Sequence, residues 1–146
     1  MVALPAGSGQ PVGLSWSADG RWLAFLRVPA GQQGPAGAPG SLWVVGADGH
    51  HLRQVVAGPA VGTFAWNPAR DTLALSVVAG ATARAHPLAL VPILASGRPG
   101  VAALPGGLTG AYVTGVAWSP TGTTLAAGAD APKPSGALGE LVTVQD

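Results

Sequence analysis

Three stretches of the chain share one pattern: large apolar residues alternating with small ones, a short polar turn, then an apolar run. They read "GLSWSADGRWLAF" at 13–25, "FAWNPARDTLAL" at 64–75 and "VAWSPTGTTLAA" at 116–127, and they align without gaps. Leu14 and Trp16 flank Ser15, Phe64 and Trp66 flank Ala65, and Val116 and Trp118 flank Ala117; a period of two predicts a strand. The runs that follow, "WLAFLRV", "TLALSVV" and "TLAAGA", suit a strand covered on both faces. Between them Asp19 and Gly20, then Pro68, then Pro120 and Gly122 supply turn chemistry. Proline presets φ, the short polar side chains accept local backbone hydrogen bonds, and glycine takes the left-handed position. No window of a dozen residues carries apolar positions at helical spacing between caps, so the expected class is all-β.

The shared tryptophans, Trp16, Trp66 and Trp118, stand 50 and 52 residues apart. A period of that size marks a supersecondary unit that buries its apolar face only by stacking on a neighbouring copy. Further strands complete each copy: "SLWVVGADGHHLRQVV" at 41–56 in the first, "HPLALVPILASGRPGVAAL" at 86–104 in the second and "GELVTVQD" at 139–146 in the third. The expected organisation is 1–13 as the end of a preceding unit and a linker, 14–62 and 63–114 as four-stranded units, and 115–146 as a truncated third. The repeated tryptophans are expected in the core between units.

Composition sharpens this picture. With 146 residues, 48% of them hydrophobic, and a mean hydropathy of +0.40, the chain is outside the range of disordered tails. A net charge of +1 with 9% charged residues leaves no basic stripe for a phosphate backbone, so no nucleic-acid partner is expected. Cysteine is absent, which removes disulfides and thiolate chemistry. The most apolar segment, 72–95, is interrupted by Arg84, His86 and Pro87, and a span of roughly 20 apolar residues is needed to cross a bilayer as a helix; no membrane span is expected. The 23 glycines and 14 prolines cluster between apolar runs, as many turns require.

Candidate chemistry is sparse. If the first strand of each unit leaves one face, the longest connectors return to it: 29–40, 57–62, 80–86, 105–115 and 128–139. Gln32, Gln33, Arg84, His86, Tyr112 and Lys133 are their recognition-capable side chains, and binding on β scaffolds is usually carried by such loops. "GQQGPAGAPG" at 31–40 imitates a collagen period too briefly to form a triple helix. His50 and His51 are adjacent, so on a strand they point to opposite faces and do not chelate; neither a metal nor a cofactor is expected. No nucleophile elbow, zinc-binding His-Glu-x-x-His, phosphate loop or dinucleotide fingerprint occurs, and no catalytic residue is assigned.

"WSADGRWLAF", "WNPARDTLAL" and "WSPTGTTLAA" resemble the W-S-P-D-G-x-x-L-A-F repeat of TolB-like β-propellers, a WD40-like family, and "LWVVGADG" resembles its third strand and following turn. The resemblance runs from about Leu14 onward. It implies an incomplete β-propeller of about three consecutive four-stranded antiparallel blades, since complete rings of the family usually have six or more. It implies a non-catalytic scaffold that binds a protein or peptide partner, in a periplasmic or extracytoplasmic parent. The alternative it leaves open is the gating propeller of an exported prolyl-oligopeptidase-type serine hydrolase. Bare blade faces would expose more apolar area than a soluble monomer usually shows. Further blades of the same protein, or self-association, are the expected cover. Ala18 stands where the family has proline, Arg70 and Asp71 displace its Asp-Gly pair, and Thr121 replaces its aspartate.

Overall fold

The computed structural model describes residues 9–31, 40–77, 88–93, 102–103, 112–130 and 140–145. These form strands β1 (Gln10–Trp16), β2 (Trp22–Val28), β3 (Gly40–Gly46), β4 (Arg53–Trp66), β5 (Thr72–Val77), β6 (Leu88–Pro92), β7 (Ala102–Ala103), β8 (Tyr112–Trp118), β9 (Thr124–Asp130) and β10 (Glu140–Gln145). Among the described residues there is no helix. Seven strands make one sheet in chain order, β1 to β7, and three make a second, in the order β10, β9, β8. Every pairing is antiparallel. The all-β class and its antiparallel sheets therefore follow the alternation read from sequence.

The three repeated stretches form three hairpins that share one closing hydrogen bond: β1–β2, β4–β5 and β8–β9. The residue after each tryptophan donates its N–H across the turn at 2.8 Å: Ser17 to the Trp22 carbonyl, Asn67 to that of Thr72, Ser119 to that of Thr124. The Gly20 and Gly122 N–H groups close onto the carbonyls of Ser17 and Ser119, both at 2.9 Å. The third strands are tied back alike, Ala47 N–H to the Arg21 carbonyl at 2.8 Å and Ile93 N–H to that of Asp71 at 2.7 Å. Each first strand also carries a register shift shortly before its tryptophan: between Val12 and Ser15, Val61 and Thr63, and Val113 and Gly115. A bulge bends and twists its strand, so all three hairpins curve in the same place.

Residues 57–62, expected as a connector, lie within β4. This 14-residue strand changes partner along its length: Arg53, Gln54 and Val56 pair with β3, and Thr63 to Trp66 pair with β5. The register jumps from Leu42 opposite Val56 to Gly40 opposite Val61. Extended backbone thus joins one four-stranded group to the next hairpin, with Val61 paired both to Gly40 of β3 and to Val77 of β5 at the change of partner.

Two apolar clusters hold the hairpins together. The larger combines Ala24, Leu26, Leu42, Val44 and Val55 with Val61, Trp66, Leu73, Leu75, Ala89, Val91 and Ile93. The smaller combines Ala74 and Leu88 with Val113, Leu125 and Ala127. Along β5, Leu73 and Leu75 enter the first cluster and Ala74 the second. The strand is buried on both faces, as its unbroken apolar run predicts, and each fully buried leucine contributes about 1.5–3 kcal/mol relative to exposure.

Candidate functional site

The turns that follow β1, β3, β4 and β8 lie at one end of the strands, and two shallow depressions open among them. The first, about 360 Å³, is lined by Arg21, Trp22, Gly46, Ala47, Asp48 and His51. The second, about 260 Å³, lies between the turns of the first two hairpins, bounded by Ala18, Asp19, Asn67, Pro68 and Arg70.

Their polar groups are largely occupied by the turns themselves. Asp19 Oδ1 accepts the Ser17 hydroxyl at 2.6 Å and the Arg21 N–H at 3.0 Å, and the Arg21 guanidinium lies 3.8 Å from Oδ2. The Ser17 hydroxyl first, then the Arg21 N–H, hold the exposed Asp19 carboxyl below its ordinary value. In the third hairpin hydroxyls do the carboxylate's work: Thr121 Oγ1 lies 3.2 Å from Ser119 Oγ and 2.9 Å from Thr123 Oγ1. That accounts for threonine at the aspartate position. Asp48 Oδ1 accepts the His50 N–H at 2.8 Å, forming an Asx turn.

Asn67 connects the second turn to the third. Its Nδ2 donates to the Gly122 carbonyl at 2.8 Å, and its Oδ1 accepts the Ala69 N–H at 2.8 Å. Gly122 has a φ of 72°, and a Cβ there would strike Asn67 Oδ1 and press on Ala69. Arg70 occupies the matching position of the second hairpin, where the turn closes differently, through Thr72 N–H to the Arg70 carbonyl at 2.7 Å. Among the described residues the one non-glycine with positive φ is His51, at 59°. Arg70 therefore needs no left-handed backbone, which is why glycine is dispensable there.

His50 and His51 sit in the turn between β3 and β4, not on a strand as the facing argument assumed. Asp48 and Gly49 turn the chain before it can extend again at Arg53. The His51 ring meets Trp22 edge-on at 6.4 Å, and the Arg53 guanidinium lies 5.4 Å from the same indole. Among the described residues no group of three His, Cys, Asp or Glu could hold a metal ion.

Of the side chains expected to bind a partner, Gln32, Gln33, Arg84, His86 and Lys133 lie outside the described residues. Tyr112 was expected in a connector. It opens β8 instead, opposite Asp130, because "YVTGV" continues the strand pattern outward from Trp118. The repeated tryptophans divide. Trp66 is buried and Trp118 half-buried, but Trp16 is 54% exposed, so it is not core. β1 is the edge of its sheet, and among the described residues no strand packs over its indole.

Sequence reasoning missed Arg27. It is 3% exposed within an apolar run, with its guanidinium 4.8 Å over the Trp43 ring. The Trp43 indole donates to Ser41 Oγ at 2.9 Å. The readable signal was an arginine and a tryptophan on two strands of one predicted meander, a pairing that favours cation–π contact. No family model matches the chain, and no curated protein matches it.

Proposed function

We propose that this chain is a segment of a TolB-like β-propeller acting as a non-catalytic scaffold, whose partner is a protein or peptide. The carrying observation is the stacking of equivalent hairpins: Trp66 of the second donates to the Ser15 carbonyl of the first at 3.0 Å, and Asn67 of the second reaches Gly122 of the third. Side-by-side repetition of one curved antiparallel unit is how propeller blades assemble.

In this reading the partner is recognised through Gln32, Gln33, Arg84, His86, Tyr112 and Lys133, the recognition-capable side chains read from the sequence. The turns after β1, β3 and β4 offer less. Their depressions are shallow, and Asp19, Asp48 and Asn67 are committed to their own turns.

The test is to select peptides from a displayed library against the folded chain and measure their affinity for variants. Combined Gln32→Ala, Gln33→Ala, Arg84→Ala and Lys133→Ala substitutions should weaken binding by about tenfold or more, equivalent to about 1.4 kcal/mol. Arg21→Ala with Asp48→Ala should leave it unchanged. The reverse pattern contradicts the assignment of these side chains, and cleavage of the selected peptides, read by mass spectrometry, contradicts the non-catalytic reading.

A further inference from the structure

The two ends of the stack differ from each other and are complementary. At the joint between hairpins one and two, Phe64 covers Gly13, its ring 3.7 Å from where a Cβ would stand. Beside it the Trp66 indole donates to the Ser15 carbonyl, and Trp66 is left 8% exposed. The matching residues of hairpin one are Leu14 and Trp16, and they cover nothing comparable: they are 63% and 54% exposed, with Val12 at 39%. At the far end the positions matching Gly13 and Ser15 are Gly115 and Ala117. A Cβ at Gly115 would meet no described atom within 4 Å, and Ala117 is exposed. One end therefore presents the knobs of a joint used inside the chain, and the other presents its seat.

We infer that the β1 edge is a docking surface for β8 of a second copy of this chain, head to tail, with Leu14 over Gly115 and the Trp16 indole N–H on the Ala117 carbonyl. A backbone carbonyl already paired in a sheet keeps a second lone pair for such a donor. The second copy is the occupant because the contact continues an interface the chain already makes with itself. Phe25 and Val45, farther out on the same sheet, are already buried, so the open surface is confined to one strand and the contact is small and weak. It is also heterologous, so successive copies close a ring or extend a filament.

The inference rests on the joint between hairpins one and two described above, and a test with end-blocked variants of the whole chain separates it from the partner-binding reading. In sedimentation velocity the unmodified chain should gain mass with concentration. Leu14→Asp blocks one end and Ala117→Arg the other, so each alone should stay monomeric. An equimolar mixture should form a species of twice the monomer mass and nothing larger, because each variant keeps one good end. Both substituted side chains are exposed, and matching circular dichroism melts confirm that folding is intact. Trp16→Lys should behave as Leu14→Asp does and replaces it if that variant fails to fold. A monomeric unmodified chain, association that survives both blocks, or a mixture no heavier than its parts overturns the inference. None of these results bears on the peptide-affinity test of the scaffold reading.

Discussion

At the scale of single residues, the turns explain which positions tolerate change. Asn67 is 2% exposed and satisfies groups on two hairpins, so Asn67→Ala leaves the Gly122 carbonyl and the Ala69 N–H without their partner. Denaturant titration should show a loss of about 1–3 kcal/mol. Gly122→Ala should cost more than Gly20→Ala: both have positive φ, but a Cβ at Gly20 meets nothing within 4 Å whereas one at Gly122 meets Asn67. The smaller cost, about 1 kcal/mol, is that of the left-handed backbone alone. Asp19 has its carboxyl lowered from 3.8, so its ionised form is favoured by folding. That contribution is fully present above pH 3.8 and disappears as the pH falls through the lower folded value. A carboxyl titration followed by NMR should therefore place the Asp19 midpoint below 3.8 and return it toward that value in Ser17→Ala. These turns were legible as turns from Asp19, Pro68 and Gly122. Their side-chain chemistry was not, because whether a carboxylate, an amide or a hydroxyl bridges the strands depends on which backbone donors the turn leaves facing it.

At the scale of elements, β4 and β5 carry the architecture. β5 divides its side chains between two clusters, and β4 bridges two groups of strands, so damage there should spread. Leu73→Ala, at a fully buried position, should cost about 2–5 kcal/mol and lower hydrogen-exchange protection in both sheets. Leu125→Ala, in the smaller cluster, should lower protection mainly across β8 and β9 and leave β2 and β3 protected. In stacked units stability is a sum of local and nearest-neighbour terms. Equal loss everywhere after Leu125→Ala would contradict that division. Most strands could be read from the alternation around Trp16, Trp66 and Trp118. The continuity of β4 could not: "AGPAVG" at 57–62 has the glycine and proline of a turn, and that Val61 finds partners on both β3 and β5 is a tertiary fact the local residues do not carry.

At the scale of the whole molecule, the tryptophan repeat indicated stacked copies, and the joint between them follows from geometry that no single copy displays. The matched tryptophans differ in burial: Trp66 is buried against hairpin one, Trp118 is half-buried, and Trp16, with no hairpin before it among the described residues, is exposed, so the fold leaves outside the core a residue that sequence placed within it. The most direct measurement is the unfolding free energy of the three matched variants Trp16→Ala, Trp66→Ala and Trp118→Ala, at a protein concentration where the chain is monomeric. Stacking of equivalent units requires Trp66→Ala to cost about 3–5 kcal/mol, Trp118→Ala less, and Trp16→Ala no more than about 0.5 kcal/mol. Equal costs at Trp16 and Trp66 would contradict it.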